Sequence, residues 1–281
     1  MGHIAGKTAI AFCMVLISAN LIFAQTLNLQ DIPSDKIQFK LNYDKPFYND
    51  QHGLSTSTNV LDLDFNLPVS SKLNIIWNIP YVFYNYKYDN IYSNYSYSKN
   101  GFGNIFLGAQ ARAYSSLNIK SIITFGIYLP TASEDAAGSG IAAEYYYFSK
   151  YLPNSLDLYF NYAYHRINTE GINYGIEAGP NLLIPTKSEG NKTELLLHYG
   201  IIGGYCINKF LFSAELLGIM MVSEDIQDAG DRFVHLLDLG AQWEGNRISP
   251  KIFYQIYLRQ EIRNSVNGVI GIGISVNIDR W

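Results

Sequence analysis

The chain has 281 residues, with 20 Lys and Arg against 24 Asp and Glu, a net charge of −4, and only 16% charged residues beside 15% aromatics. That charged fraction falls well below the roughly 25% of soluble domains, and an acidic balance without a basic patch gives no reason to expect a nucleic-acid partner. Beyond the first two dozen residues the apolar runs stay short of the about 20 residues of a spanning helix, which argues against a helical membrane protein and leaves strands as the way across a bilayer; a secreted soluble β-sandwich is the alternative.

Residues 1–24 read as a signal peptide. Lys7 supplies the positive charge, residues 9–17 the short apolar run, and Ala24 the small residue before Gln25. The run is short for an uncleaved anchor, and Phe12 is too bulky to precede a lipoprotein cysteine at Cys13. Removing these residues takes away Lys7 and no acid, so the charge becomes −5, and it leaves Cys206 as the one cysteine, so no internal disulfide is expected. Residues 25–36 read as a short periplasmic segment and 37–281 as an outer-membrane barrel.

Alternation with a period of two marks the strands. The first has Ile37, Phe39, Leu41 and Tyr43 outward, with Gln38, Lys40 and Asn42 inward. The second has Leu61, Leu63, Phe65 and Leu67 outward, with Asp62, Asp64 and Asn66 inward. The third carries Leu73, Ile75, Trp77, Ile79, Tyr81 and Phe83 on its outer face. The fourth, 102–114, points Gln110 and Arg112 inward, and the fifth, 119–131, points Lys120 and Thr124 inward. A sixth strand is expected over 142–151. The seventh, 156–166, has Asp157, Asn161 and His165 inside. The eighth, 192–206, has Glu194 and His198 inside; the ninth, 210–222, is nearly apolar throughout but carries Glu215 inward after an Asn208-Lys209 turn. The tenth, 233–243, has Asp238 and Gln242 inward and His235 on the lipid side. The eleventh is 251–259. The last runs from Gly268 to the terminal Trp281, with Ile270, Ile272, Ile274, Val276 and Ile278 on one face and Gly271, Gly273, Ser275 and Asn277 on the other. Trp281 falls on the polar register, which a bulge near residues 279–280 would correct.

The fold expected is therefore all-β: a transmembrane, antiparallel, up-and-down β-barrel of about 12 strands. Short turns at 68–72, 115–118, 153–155, 207–209 and 244–249 belong to the periplasm, and long loops at 88–100, 132–140, 168–191 and 223–232 to the exterior. Twelve requires 168–191 to be one external excursion; pairing of 174–184 would give fourteen. The partners expected are membrane lipid and, through the C-terminal strand, the barrel-assembly machinery of a Gram-negative outer membrane.

The inward set mixes signs: Lys40, Arg112, Lys120, Lys251 and Arg259 with Asp62, Asp64, Asp157, Glu194, Glu215 and Asp238. Charges are too costly for hydrocarbon and belong in the lumen. They form either a polar channel or a salt-bridged filling, and the near-cancellation of sign is unlike an ion-selective ring. Arg112, Lys120, Glu215, Asp238, Asp62 and Asp64 are the candidate solute contacts. Tyr81, Tyr84, Tyr86, Tyr88, Tyr92, Tyr95, Tyr97 and Tyr145-Tyr146-Tyr147 suit an aromatic girdle at the headgroups, or an apolar vestibule under the outer loops. No catalytic set is expected, because His165, His198 and His235 lack a serine at the spacing a barrel hydrolase needs. No metal site or cofactor is expected either: histidines and cysteines lack ligand spacing, and no helix follows Gly101-x-Gly103.

Gly101-Phe102-Gly103-Asn104-Ile105, followed by Leu107-Gly108 and Arg112, resembles a glycine-rich strand of the outer-membrane proteins grouped with meta-pathway phenol degradation. Leu129-Pro130-Thr131 resembles the Leu-Pro-Thr closing that family's next strand, and Glu215-Leu216-Leu217-Gly218 its later Glu-Leu-x-Gly strand. The resemblance spans 101–281, with Ala132 where Gly usually follows the Pro-Thr. It implies a barrel transporter related in outline to long-chain fatty-acid channels, though without their long N-terminal hatch, since about a dozen residues precede the first strand. The function expected is passive passage of a small, apolar or aromatic solute. The alternative is a closed-lumen structural or surface-interaction barrel.

Overall fold

The computed structural model describes residues 26–49, 54–90, 93–187, 192–223 and 229–279. The signal-peptide reading and the register of Trp281 lie outside these residues. Thirteen strands run β1 (Ile37–Tyr48), β2 (Leu54–Pro68), β3 (Leu73–Asn90), β4 (Ser93–Phe102), β5 (Phe106–Ser115), β6 (Ile119–Tyr128), β7 (Ser155–Arg166), β8 (Gly171–Pro185), β9 (Glu194–Ile207), β10 (Phe210–Met221), β11 (Phe233–Trp243), β12 (Ile248–Tyr257) and β13 (Val266–Ile278). Each pairs antiparallel with its neighbour, and β13 returns to β1, with Leu41 opposite Ile274. Twelve strands close the barrel. The remaining one, β4, continues the line of β5 beyond a break at 103–105, both lying beside β3.

The sides of the sheet follow the alternation. Ile252, Ile272 and Ile274 stand 55%, 49% and 40% exposed, while Asp62, Asn161 and Asp238 are almost completely buried. A soluble fold would invert this arrangement; apolar out and polar in is the pattern of a lipid-facing cylinder. On the outer surface Phe39 meets Phe65 edge to face and Phe65 stacks on Trp77, with ring centroids 4.9 and 5.2 Å apart. The two-residue turn at Asn208-Lys209 has both φ values positive, 48° and 70°, the hairpin geometry whose twist matches that of its strands.

Twelve is reached by a different route from the one the sequence suggests. Residues 142–151 are not a strand: they belong to helix α1 (Glu134–Ala143) and a 3₁₀ turn over Tyr145–Lys150. The stretch 168–191 is not one excursion, because β8 occupies its centre and pairs with both β7 and β9. The 153–155 turn consequently lies at the loop end of the barrel, and the short connection at 167–170 lies at the turn end. One non-strand exchanged for one strand preserves the count.

α1 starts with Glu134 and Asp135 in its first turn, where carboxylates favour the helix dipole, and continues through Ala- and Gly-rich sequence. Its long connection folds into the lumen. Ala143 and Tyr151 pack on Val60 and Val82 of β2 and β3. Tyr146 packs into an apolar wall containing Leu217, Ile219, Val234, Leu236 and Tyr257. This explains why β10 is apolar on both faces: one meets lipid and the other receives an inserted segment. At the opposite end residues 26–36, expected in the periplasm, run up inside the barrel, where Leu27, Leu29 and Ile32 are buried.

Candidate functional site

The lumen is organised by buried carboxylates that take backbone donors. Glu215 of β10 is fully buried. Its two oxygens accept from the N–H groups of Leu27, Asn28 and Leu29 at 2.6, 2.8 and 3.0 Å. Asp238, opposite Glu215 on β11, accepts from Asn28 Nδ2 at 2.7 Å. Glu177 on β8 accepts from the Gln30 N–H at 2.8 Å and from the Tyr146 hydroxyl at 2.9 Å, so one side chain holds both inserted segments. Tyr147 donates to the Asn28 carbonyl and joins the segments directly.

Arg112 clamps the base of the N-terminal segment. Its guanidinium donates to Asp35 and to the Pro33 carbonyl, both at 2.6 Å. Lys120 sits at the nearby turn, bonded to Ser115 Oγ at 2.7 Å and the Ser116 carbonyl at 2.9 Å. Arg259 lies at the loop end and pairs with Asp231 at 2.7 Å, away from its expected lumen position.

The long connection is pinned at its root by Asn104, which is fully buried. Its amide donates to the carbonyls of Ser149 and Leu152 at 2.8 and 2.7 Å and accepts from the Ala132 N–H at 2.8 Å. Thr131 Oγ1 donates to the Gly103 carbonyl and accepts from the Ile105 N–H, both at 2.9 Å. The Gly103-Asn104 and Pro130-Thr131 motifs therefore meet where β4 and β5 part. Gly103 is required there, because a Cβ would lie 2.7 Å from Pro80 Cγ and closer still to the Lys150 carbonyl. At the loop end, Lys99 Nζ of β4 lies 2.8 Å from Asp135 and holds that carboxyl below its ordinary range.

Between the two inserted segments lies a cavity of about 170 Å³. Its walls include Asp62, Asp64, Asn78, Gln110, Thr124 and Lys251 from the strands, Leu27 to Asp31 from the N-terminal segment, and Glu144, Tyr147 and Lys150 from the long connection. Lys150 pairs with Asp62 and with Glu144, the latter at 2.7 Å. Lys40 pairs with Asp31. Asp64 accepts from Asn42 and Asn78 at 3.0 and 2.8 Å. Tyr128, Tyr159 and Phe106 form an aromatic cluster on one side.

Of the six candidate contacts, Asp62 and Asp64 line this cavity. Glu215 and Asp238 hold the N-terminal segment, while Arg112 and Lys120 sit near the turn end. Asp44, Glu144, Lys150 and Glu177 were not among the candidates. Asp44 was legible as the next inward step after Gln38, Lys40 and Asn42. Glu144 and Lys150 were hidden by the strand reading of their segment, as were Tyr145, Tyr146 and Tyr147, which pack inside and form no girdle. His198 stacks on Tyr159 with ring centroids 4.7 Å apart.

No family model matches the chain, and no curated protein does. Among solved structures, the KdgM porin superposes with a TM-score of 0.50 at 7% identity, covering 85% of this chain and 99% of that one. The NanC porin gives 0.49 at 12%, covering 86% and 100%. The translocator domain of the autotransporter NalP from Neisseria meningitidis gives 0.49 at 10%, covering 97% and 98%. At such identities the likeness concerns the fold, that of outer-membrane barrels.

Proposed function

We propose that this chain is an outer-membrane barrel that passively passes a small solute, with its lumen crossed at rest by two internal segments. The cavity between those segments carries the reading: charged, amide and aromatic side chains converge on a space of about 170 Å³ inside a lipid-facing cylinder. Pockets with apolar walls and a few placed polar groups are how proteins hold small molecules. The apparent export signal in residues 1–24 and the motifs resembling the phenol-degradation barrels support the same reading. An aromatic or apolar part of the solute would lie against Tyr128, Tyr159 and Phe106.

The N-terminal segment is the natural moving part. It is tied to the barrel covalently at β1, by hydrogen bonds to groups that include Glu215, Glu177, Asp238, Arg112 and Lys251, by the Lys40–Asp31 pair, and by the packing of Leu29 and Ile32. A solute entering the cavity would compete for Lys40 and Lys251, which line it and hold Asp31 and the Leu27 carbonyl of the segment, and withdrawal of the segment would open the turn end.

A second reading is a closed-lumen barrel of structural role, favoured by the three backbone donors on Glu215 and the double use of Glu177. Proteoliposome swelling with benzyl alcohol and small sugars separates the two. Passage predicts uptake above that of empty liposomes, increased in Glu215→Ala. Uptake at the empty-liposome level for both proteins supports the closed barrel.

A further inference from the structure

Resting on the passage reading, we propose that the cavity is a binding site for a small organic cation, an ammonium or amidinium group carried on a compact apolar body. Five acids, Asp31, Asp44, Asp62, Asp64 and Glu144, face it, against three lysines, Lys40, Lys150 and Lys251. The lysines are all engaged: Lys40 with Asp31, Lys150 with Asp62 and Glu144, and Lys251 with the Leu27 carbonyl. Acceptors are left over. Asp62 Oδ1 and Asn78 Oδ1 are buried without a hydrogen-bond partner, as is the Thr124 hydroxyl, and Asp44 and Glu144 meet carboxyl to carboxyl, a contact that needs a proton shared between them. Against these stands one buried, unpartnered amide donor on the cavity among the described residues, Gln30 Nε2.

Asp44, Asp62 and Glu144 are 4%, 3% and 8% exposed, so bulk water does not readily satisfy these oxygens. They come from three separate places, β1, β2 and the inserted connection, and Asp44 lies against Glu144. A buried acceptor without a donor costs free energy until one arrives, and a charged N–H donor satisfies it most strongly. The aromatic walls add to this, because ring faces attract cations. An ammonium already uses one here: Lys150 Nζ stands 4.9 Å from the Tyr147 ring centroid. An anion would meet the surplus of carboxylates, and a neutral solute could not take the place of the proton that Asp44 and Glu144 share, as a cationic N–H group can.

Calorimetric titration of the full protein in detergent with benzylamine, benzyl alcohol and benzoate tests this, since the three share a ring and differ in charge. Benzylamine is expected to bind about tenfold or more tightly than the other two. Asp44→Asn and Glu144→Gln should each weaken benzylamine about tenfold while preserving the heat-modifiable mobility of the folded barrel. Glu144 is on the inserted connection, so Glu144→Gln carries the test if the wall variant fails to fold. Equal binding of all three compounds, no benzylamine binding, or binding indifferent to both substitutions would overturn the proposal. Swelling by benzyl alcohol without amine preference would defeat the cation site and keep passage. Amine binding without any swelling would defeat passage alone.

Discussion

A carboxylate withdrawn from water needs donors, and Glu215 finds three of them in the backbone of Leu27, Asn28 and Leu29. Glu215→Ala removes them all at once. Hydrogen bonds to a charged group contribute about 1.5–3 kcal/mol each, and less than additively. The N-terminal segment, left with its ties to Glu177, Asp238, Arg112, Lys40 and Lys251, should therefore leave the lumen more often, with the barrel still folded. A cysteine placed at Asn28 checks this: maleimide labelling should be slow in the parent protein and fast in Glu215→Ala, and equal rates would remove the clamp. Asn104 has the same standing for the long connection; Asn104→Ala should expose residues 132–152 to protease at the loop end. Gly179 is different, because its Cβ would collide with the backbone of Phe160 and Asn161. Gly179→Ala should destabilise the β7–β8 contact by about 1–3 kcal/mol, read as a lower temperature for the heat-modified gel shift. Glu215 and Asp238 were legible as inward acids, because a charge in a lipid-facing strand has nowhere else to go. Their partners were not, because a backbone N–H on an apparently trailing segment leaves no mark in a side-chain pattern.

Elements in this barrel are defined by what covers their inner face. Where strands meet the N-terminal segment and the cavity, inward residues are polar, as at Asp62, Asp64 and Asn161. Where they meet the inserted connection, inward residues turn apolar, as at Val60, Val82, Leu217 and Ile219. That switch is a sequence-level sign of a plug at the loop end, and it accounts for β10, whose unbroken apolar run resembles a buried helix. The run from Glu134 to Ala143, read as a loop and the start of a strand, carried a helix signal that this reading passed over: two acids followed by Ala and Gly suit a helix start better than a strand. The three tyrosines after it drew the reading toward a girdle, since amphipathic rings fit headgroups and plug surfaces equally well. Lys150 ties this connection to β2 through Asp62. Lys150→Met leaves Asp62 and Glu144 without their cation, a loss of about 3–5 kcal/mol for a broken buried pair. The connection should then be cleaved faster by added protease; an unchanged cleavage rate would show that its apolar packing suffices.

The whole molecule is a cylinder turned inside out relative to a soluble protein, and that feature was the most legible, because the period of two survives every local irregularity. The strand count survived as well, though by exchanging 142–151 for β8. Lipid-face charge tests the cylinder: Ile272→Arg should cost about 2–4 kcal/mol near the bilayer midplane and cut the folded yield in liposomes. Gly273→Ser, on the lumen face of the same strand, should be tolerated better, because the atoms its Cβ would crowd, Asn42 Oδ1 and Lys251 Cε, are side-chain ends that can shift. The resting block is a property of this scale too, since it needs the closed wall, the N-terminal segment and the long connection together. Planar-bilayer conductance of the purified protein beside Glu215→Ala measures it most directly. Rare or small openings in the parent and larger, longer ones in the variant are the predicted result. A parent protein that conducts steadily at the level of the variant would contradict a lumen crossed at rest.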